Sequence, residues 1–211
     1  MNGTAESVAP GVLAPGMLHN DEVMDKISMP NKPVLTSGDK IAFSAILEGA
    51  AANPDLCTIS NRYPWQARIA AGKLLQIART NHLPIRVLSG RCHEGFYDQR
   101  LAEQLQLCKE TGCSIRFLVW QKSAEGISPA LIKLSESGVI ELRVSGTDQF
   151  ESSVPHFILI GDRAFRQEAG HPPFNKDTVF TEYEPQVPAR IDFNDPATGK
   201  VLIGMFDNLW G

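Results

Sequence analysis

His156, Asp162, Arg163, Arg166, Glu168 and His171 fall within one short stretch, VPHFILIGDRAFRQEAGH, spanning Val154 to His171. These are residue types that do chemistry. An imidazole can attack phosphorus, move a proton or bind an anion. A carboxylate can orient it, and a guanidinium offers a planar fork that matches phosphate oxygens. Two further arginines, Arg62 and Arg91, stand earlier in the chain, each just after an apolar run.

The elements that must position these groups follow from the pattern. The apolar run Phe157 to Ile160 stops at Gly161-Asp162 and resumes at Ala164-Phe165. This predicts a buried strand, a tight turn and a return strand. His156 then opens the first strand, Asp162 and Arg163 lie in the turn, and Arg166 and Glu168 share one face of the return by alternation. His171 lies just beyond. The Arg166–Glu168 pair is either a surface ion pair or part of a pocket wall.

Upstream the chain alternates. Ile41 to Ala51 reads as a helix with Ser37 or Asp39 as its cap, and Leu56 to Ser60 as a strand. Pro64 opens a helix whose Ala67, Ala70, Ala71, Leu74, Leu75 and Ala78 form one apolar face. Strands at Ile85 to Leu88, Ile115 to Trp120 and Val139 to Val144 alternate with helices at Tyr97 to Lys109 and from Pro129. Gly112 and Gly138 provide the stops. Residues 171 to 188 read as a long Pro-rich acidic loop, and Ile203 to Trp210 as a closing amphipathic helix. The expected fold is therefore α/β, a mixed β-sheet flanked by helices. In such sheets ligands collect beyond the carboxyl ends of parallel strands, so Arg62, Arg91, His93 and Gln121 are expected to converge on one side.

Composition sets outer limits. The chain has 211 residues, 43% hydrophobic and 21% charged, which is ordinary for one globular domain and a tail. Its net charge of −4 excludes a strong global field for nucleic acid or anionic membranes and leaves room for a local basic patch. No stretch approaches the roughly 20 apolar residues of a membrane span, and the N-terminus carries no secretion pattern. Cys57, Cys92, Cys108 and Cys113 lack C-x-x-C spacing. A reduced, cytoplasmic setting is expected. Residues 1–33 are expected to form a flexible N-terminal tail, with one short helical turn around Asp21 to Ile27, and 34–211 the folded domain. P-loop, G-x-G-x-x-G and G-x-S-x-G motifs are absent. Cys92-His93-Glu94 has a metal-like composition without a second cluster, so no metal and no cofactor is expected.

From about residue 40 the order of these elements resembles one lobe of the phospholipase D-like superfamily. The likeness rests on FILIGDRAF, on LPIRVLSG and CSIRFLVW, and on the terminal MFDNLW. The family's lobe places H-x-K on a strand, then an apolar stretch, an Asp-containing turn and a return strand with a small pair and Asn. Aligned on the apolar stretch, His156 falls at the family's Lys position and Val154 at its His position. Gly161 or Asp162 sits near the Asp, Gln167 and Glu168 replace the small pair, and Gly170 stands near the Asn. Shifting by one brings His156 towards the nucleophile position, but two residues on stands Ile158. Neither register gives H-x-K.

The resemblance implies a single lobe with a degenerate motif. Its expected function is non-catalytic binding of a phosphate-bearing ligand (nucleic acid included) or of a protein partner, with Arg62, Arg91, His156, Arg163 and Arg166 as ligand-binding residues. The alternative is a metal-independent phosphodiesterase or nuclease acting as a homodimer, with His156, Glu168 and His171 as its catalytic residues. A third reading is a structural subunit whose residues 1–33 recruit a larger assembly. His156 itself is open to three readings: nucleophile, anion ligand or satisfied structural histidine.

Overall fold

The computed structural model describes residues 32–147 and 154–211. The tail expected over residues 1–33 lies outside these, apart from its last two residues, as does its expected helical turn.

Eight strands form one sheet: β1 (Val34–Leu35), β2 (Thr58–Asn61), β3 (Ile85–Ser89), β4 (Ile115–Val119), β5 (Glu141–Val144), β6 (His156–Ile160), β7 (Ala164–Glu168) and β8 (Ala189–Asp192). The helices are α1 (Lys40–Ala52), α2 (Pro64–Asn81), α3 (Gln99–Glu110), α4 (Pro129–Glu136) and α5 (Pro196–Trp210). The strand order is β1-β2-β8-β7-β6-β3-β4-β5. Pairs β1/β2, β3/β4 and β4/β5 are parallel, and the pairs joining β2, β8, β7, β6 and β3 are antiparallel. The sheet is mixed, as expected, and its predicted hairpin β6–β7 sits at the centre. Sequence reasoning missed β1 and β8, which are two and four residues long and too short to show a period.

The pairing fixes which ends meet. Strands β2, β3 and β7 run one way, and β6 and β8 run the other. One edge of the sheet therefore carries the carboxyl ends of β2, β3 and β7 and the amino end of β6. That edge holds every chemically active group of the hairpin except its turn.

Helix starts follow the caps. Asp39 accepts from the Ala42 amide and Asp98 from the Leu101 amide, at 2.8 and 3.0 Å. Pro64, Pro129 and Pro196 each sit in the first turn, where a missing N–H costs nothing. Helices α1 to α4 cover one face of the sheet, where Phe43, Leu74, Leu105 and Leu131 pack on Ile59, Val87, Phe117 and Ile158. Helix α5 covers the other, with Leu202 and Phe206 on Leu88, Leu118, Phe157 and Phe165. The odd and even residues of β6 thus feed two different cores, which is why His156–Ile160 is buried throughout.

Two features tie down the opposite end of the strands. Asp192, fully buried, accepts from Lys32 Nζ at 2.9 Å, Thr58 Oγ1 at 2.9 Å and the Asn194 amide at 2.9 Å. Gly199 lets α5 lie against the β6–β7 turn, for a Cβ there would stand 1.9 Å from the Asp162 carbonyl oxygen. That contact is backbone, so it cannot rotate away. Gly199→Ala is expected to destabilise the protein by about 1–3 kcal/mol, lowering Tm by about 2–4 °C per kcal/mol. Gly72→Ala, in α2 with nothing within 4 Å, is expected to stabilise it by about 0.5–1 kcal/mol. Urea denaturation of both variants checks the opposite signs.

Candidate functional site: a cleft at the carboxyl ends of β2 and β3

Three backbone turns bring the site together. After β2, the Gln66 side chain accepts from the amides of Arg62 and Tyr63 at 2.7 and 2.9 Å, and its Nε2 donates to the Ser37 carbonyl at 2.7 Å. This fixes the bend that carries Arg62. After β3, Ser89 Oγ accepts from the Cys92 amide at 3.2 Å, and Cys92 adopts the left-handed region with φ 56°. A non-glycine residue there costs free energy and recurs where a loop is held in one shape. The loop it shapes carries Arg91 and His93. The third turn follows β7 and carries His171.

Residues from all three line one cleft: Arg62, Arg91, His93, Phe96, His156, Arg166, Glu168 and His171 among them. The loop over residues 171–188 forms its outer wall. Phe180 stacks on His93 with ring centres 4.9 Å apart, and His93 Nε2 lies 3.0 Å from the Lys176 carbonyl. Pro173, Phe174, Pro185 and Val187 complete that wall. Gly95 is needed beneath it, because a Cβ would meet the Phe180 ring.

At the base, register does the positioning. His156 and Glu168 are direct partners across β6 and β7, and Arg166 lies one step along the same face as Glu168. His156 Nδ1 stands 3.1 Å from His171 Nε2 and 4.0 Å from Glu168 Oε1. His171 Nε2 is 3.9 Å from Glu168 Oε2. Arg166, only 5% exposed, donates from Nε to Asn61 Oδ1 at 3.1 Å and from a terminal nitrogen to Glu168 Oε2 at 3.5 Å. Its guanidinium also lies over the Phe96 ring, 5.9 Å from the centre. A buried guanidinium without such partners would be prohibitive. Of the two readings open for Arg166 and Glu168, the pocket wall is the one that holds.

Burial pushes His156 down to about 4 from its ordinary 6.5, and the neighbouring His171 and Arg166 push the same way against Glu168. Its imidazole is therefore neutral near pH 7. Burial pushes the Cys92 thiol up to about 12, which removes it as a thiolate nucleophile.

The expected ligand residues divide. Arg62, Arg91, His156 and Arg166 do meet in the cleft. Arg163 does not: it sits in the β6–β7 turn at the opposite end of the hairpin, half exposed, and binds Asp162 at 2.8 Å. Five-residue strands separate the two ends, and residues on a turn cannot reach past them. Gln121 also faces elsewhere, donating to the Glu125 carbonyl at 3.2 Å. Sequence reasoning missed Asn61 and Phe96. Asn61 closes the observed β2, one residue past the predicted strand Leu56 to Ser60 and next to Arg62.

No protein-family model and no curated protein matches the sequence. Solved structures do. TrmBL2, described as an archaeal chromatin protein with a novel mode of DNA binding, has a TM-score of 0.50 at 14% identity, over 81% of this chain and 59% of its own. Nuc from Salmonella typhimurium, a phospholipase D family member, gives 0.53 at 16%, over 72% and 94%. Polyphosphate kinase from Porphyromonas gingivalis gives 0.54 at 17%, over 86% and 30%. This chain thus spans under two thirds of TrmBL2 and of the kinase and nearly all of Nuc. The fold is α/β of the phospholipase D-like kind, as its sequence resemblance implied. None of the helices among the described residues is long and apolar enough to cross a membrane.

The lowered His156 value has a consequence with a definite sign. Above pH 6.5 the imidazole is neutral in both folded and unfolded chains, and its contribution is at its maximum. Between 6.5 and 4 the unfolded chain takes up a proton that the folded one refuses, so stability falls as the pH falls. The loss from this group is expected to be about 3 kcal/mol. Urea denaturation between pH 7 and 4, in EDTA, should show His156→Gln with a shallower fall than the wild type. Parallel curves would refute the assignment.

Proposed function

We propose that this chain is a non-catalytic phospholipase D-like module that binds a phosphate-bearing ligand, with nucleic acid the first candidate, in the cleft at the carboxyl ends of β2 and β3. The observation that carries this is one of charge. Arg62, Arg91 and Arg166 line the cleft against the single carboxylate of Glu168, in a chain whose net charge is −4. The cleft lining thus carries more arginines than carboxylates although the chain as a whole is acidic. Arg62 is exposed and can swing onto an anion, Arg91 is half-buried with its Nε shielded and without a hydrogen-bond partner among the described residues, and Arg166 is committed to Asn61 and Glu168. Phe96, Phe174 and Phe180 also line the cleft, side chains of the kind against which bases pack. TrmBL2, a neighbour in fold, binds DNA.

The reading as non-catalytic rests on the side chains. Val154 stands where the family's nucleophile falls in the alignment, and a valine cannot attack phosphorus. His156, the nearest imidazole, is buried against Gly90, whose added Cβ would meet its ring at 3.0 Å. Its Nδ1 is occupied by His171.

The test is binding of a labelled single-stranded oligonucleotide, followed by fluorescence anisotropy across a salt series. Replacing both Arg62 and Arg91 by Glu is expected to weaken binding at least about tenfold and to lower the slope of log K against log salt by about 1–2. Unchanged affinity and slope would sink the proposal.

A second reading has one observation in its favour: His156 lies beside Glu168, the arrangement of a base held by a carboxylate. Each chain supplies one such histidine at the cleft base, so this phosphodiesterase would work as a homodimer. It requires cleavage of labelled DNA in EDTA that disappears in His156→Ala. The non-catalytic reading expects no cleavage by either protein.

A further inference from the structure

The base of the cleft holds three donor atoms whose arrangement the anion-binding reading does not use. We propose that His156 Nδ1, His171 Nε2 and one carboxylate oxygen of Glu168 form a binding site for a single first-row divalent cation, zinc in its chemistry, with a further coordination position open to the cleft. The site stands or falls independently of what the cleft binds.

Four observations carry it. First, the three atoms converge from separate parts of the chain, the start of β6, the end of β7 and the loop beyond, and lie within 4.8 Å of one another. The two imidazole nitrogens stand 3.1 Å apart, near the spacing of about 3.3–3.5 Å that adjacent ligands adopt around tetrahedral zinc with bonds of about 2.0–2.1 Å. The carboxylate is farther off, Oε1 at 4.0 Å from His156 and Oε2 at 3.9 Å from His171, so Glu168 closes onto an ion by a small side-chain rotation that brings one oxygen to both.

Second, His171 is set in the coordinating tautomer. Its Nδ1 lies 2.9 Å from the Pro172 carbonyl, which can only accept, so Nδ1 carries the proton and Nε2 presents its lone pair inward. A ligating histidine almost always has its other nitrogen engaged in this way. Third, Glu168 is oriented by Arg166 through Oε2, which leaves Oε1 towards His156. Arg166 in turn is held by Asn61, so the carboxylate rests on a chain of fixed side chains. Fourth, His156 is buried, so its ring is held in place at the cleft base; Nδ1 carries the proton of the 3.1 Å hydrogen bond to His171 Nε2, and a cation takes that position between the two nitrogens once the proton moves to His156 Nε2.

The donor set also selects among ions. Two imidazoles and one carboxylate suit zinc, cobalt, nickel or iron. Magnesium and calcium prefer all-oxygen shells. The thiol of Cys92 is absent from the cluster. All three ligands line the cleft, which supplies both the route in and the open position.

The experiment uses the full chain, stripped with EDTA, desalted, and titrated with zinc chloride against a chromophoric chelator. One equivalent is expected to bind. His171→Ala and Glu168→Gln are each expected to weaken it by at least about 10–100-fold, since losing a direct ligand costs no less than losing a supporting one. His82→Ala, on an exposed histidine outside the cluster, is expected to bind as the wild type does. His171 is partly exposed on a loop, so its variant tests the site without testing the fold, and circular dichroism confirms that. Cobalt chloride supplies a second reading: visible d–d bands without sulfur charge transfer report nitrogen and oxygen ligands. Failure of the wild type to bind one equivalent would overturn the proposal and leave a hydrogen-bonded histidine pair. Binding that survives both His171→Ala and Glu168→Gln, or a cobalt spectrum showing thiolate, would overturn it equally.

Discussion

The register of β6 against β7 is the constraint on which the cleft depends. His156 faces Glu168 across the ladder, Ile158 faces Arg166, and Ile160 faces Ala164. Because side chains alternate with a period of two, a slip of β7 by one residue would turn Arg166 and Glu168 to the α5 side and bring Gln167 to the cleft. That slip is barred by burial on both faces. Phe157, Leu159 and Phe165 fill the core beneath α5, and Ile158 and Ile160 fill the core beneath α1 to α4. In β7 a slip would carry Arg166 and Glu168 into the core beneath α5 in place of Phe165. The turn is pinned as well, with Gly161 at φ 63° and α5 lying on the Asp162 carbonyl at Gly199.

A second consequence follows from placing this hairpin at the centre of the sheet. Arg166 comes from a central strand and is buried, so its charge has to be met inside the protein. Asn61 from β2 and Glu168 from its own strand meet it, across the neighbouring β8. Arg166 thereby ties β2 to β7 at the edge where the cleft opens. The same side chain orients the carboxylate that faces both histidines. Structural satisfaction and site geometry are here one network, and removing any member exposes the others to an unpaired buried charge.

Much of this was legible in the sequence. The six-position apolar face of α2, the prolines that open α2 and α4, and the glycines that end α3 and α4 all carry strong local signals. The hairpin was legible because FILI, Gly-Asp and AF change character abruptly. The cleft residues Arg62, Arg91, His156 and Arg166 could be grouped because strand ends in α/β sheets share a side. Arg163 shows where that logic stops. It was read in the turn and yet grouped with Arg166 as a ligand residue, but a strand carries its two ends apart, and only the pairing says which end faces the cleft. Strands β1 and β8 were not legible, since short segments owe their conformation to their neighbours. The ARID segment of β8 is held by Ile59, Phe165 and the ladder on both sides. The wall formed by residues 171–188 was readable as a loop. Its place over the cleft comes from Phe180 on His93 and the Val187 amide on the Arg62 carbonyl, contacts that no periodicity encodes.

The burial of His156 links the fold to the chemistry that remains possible. A histidine nucleophile has to reach its phosphorus atom, and a histidine that binds anions by charge has to be protonated. This one is buried, neutral near pH 7, and turned towards His171 and Glu168. Those properties suit a lone pair that faces another protein group or a cation, and they suit an incoming anion poorly. The cleft is therefore graded from mouth to base. The exposed Arg62 and the half-buried Arg91 stand at the rim. Neutral and paired groups lie beneath, where an unpaired charge would cost most. An anion entering the cleft gains from the rim first. Whether it also reaches the base depends on the charge held between His156, Glu168 and His171. The Glu168 carboxylate is already met by Arg166, so the base by itself offers an anion little net charge. With a divalent cation there, the base becomes positive, and rim and base attract the same ligand.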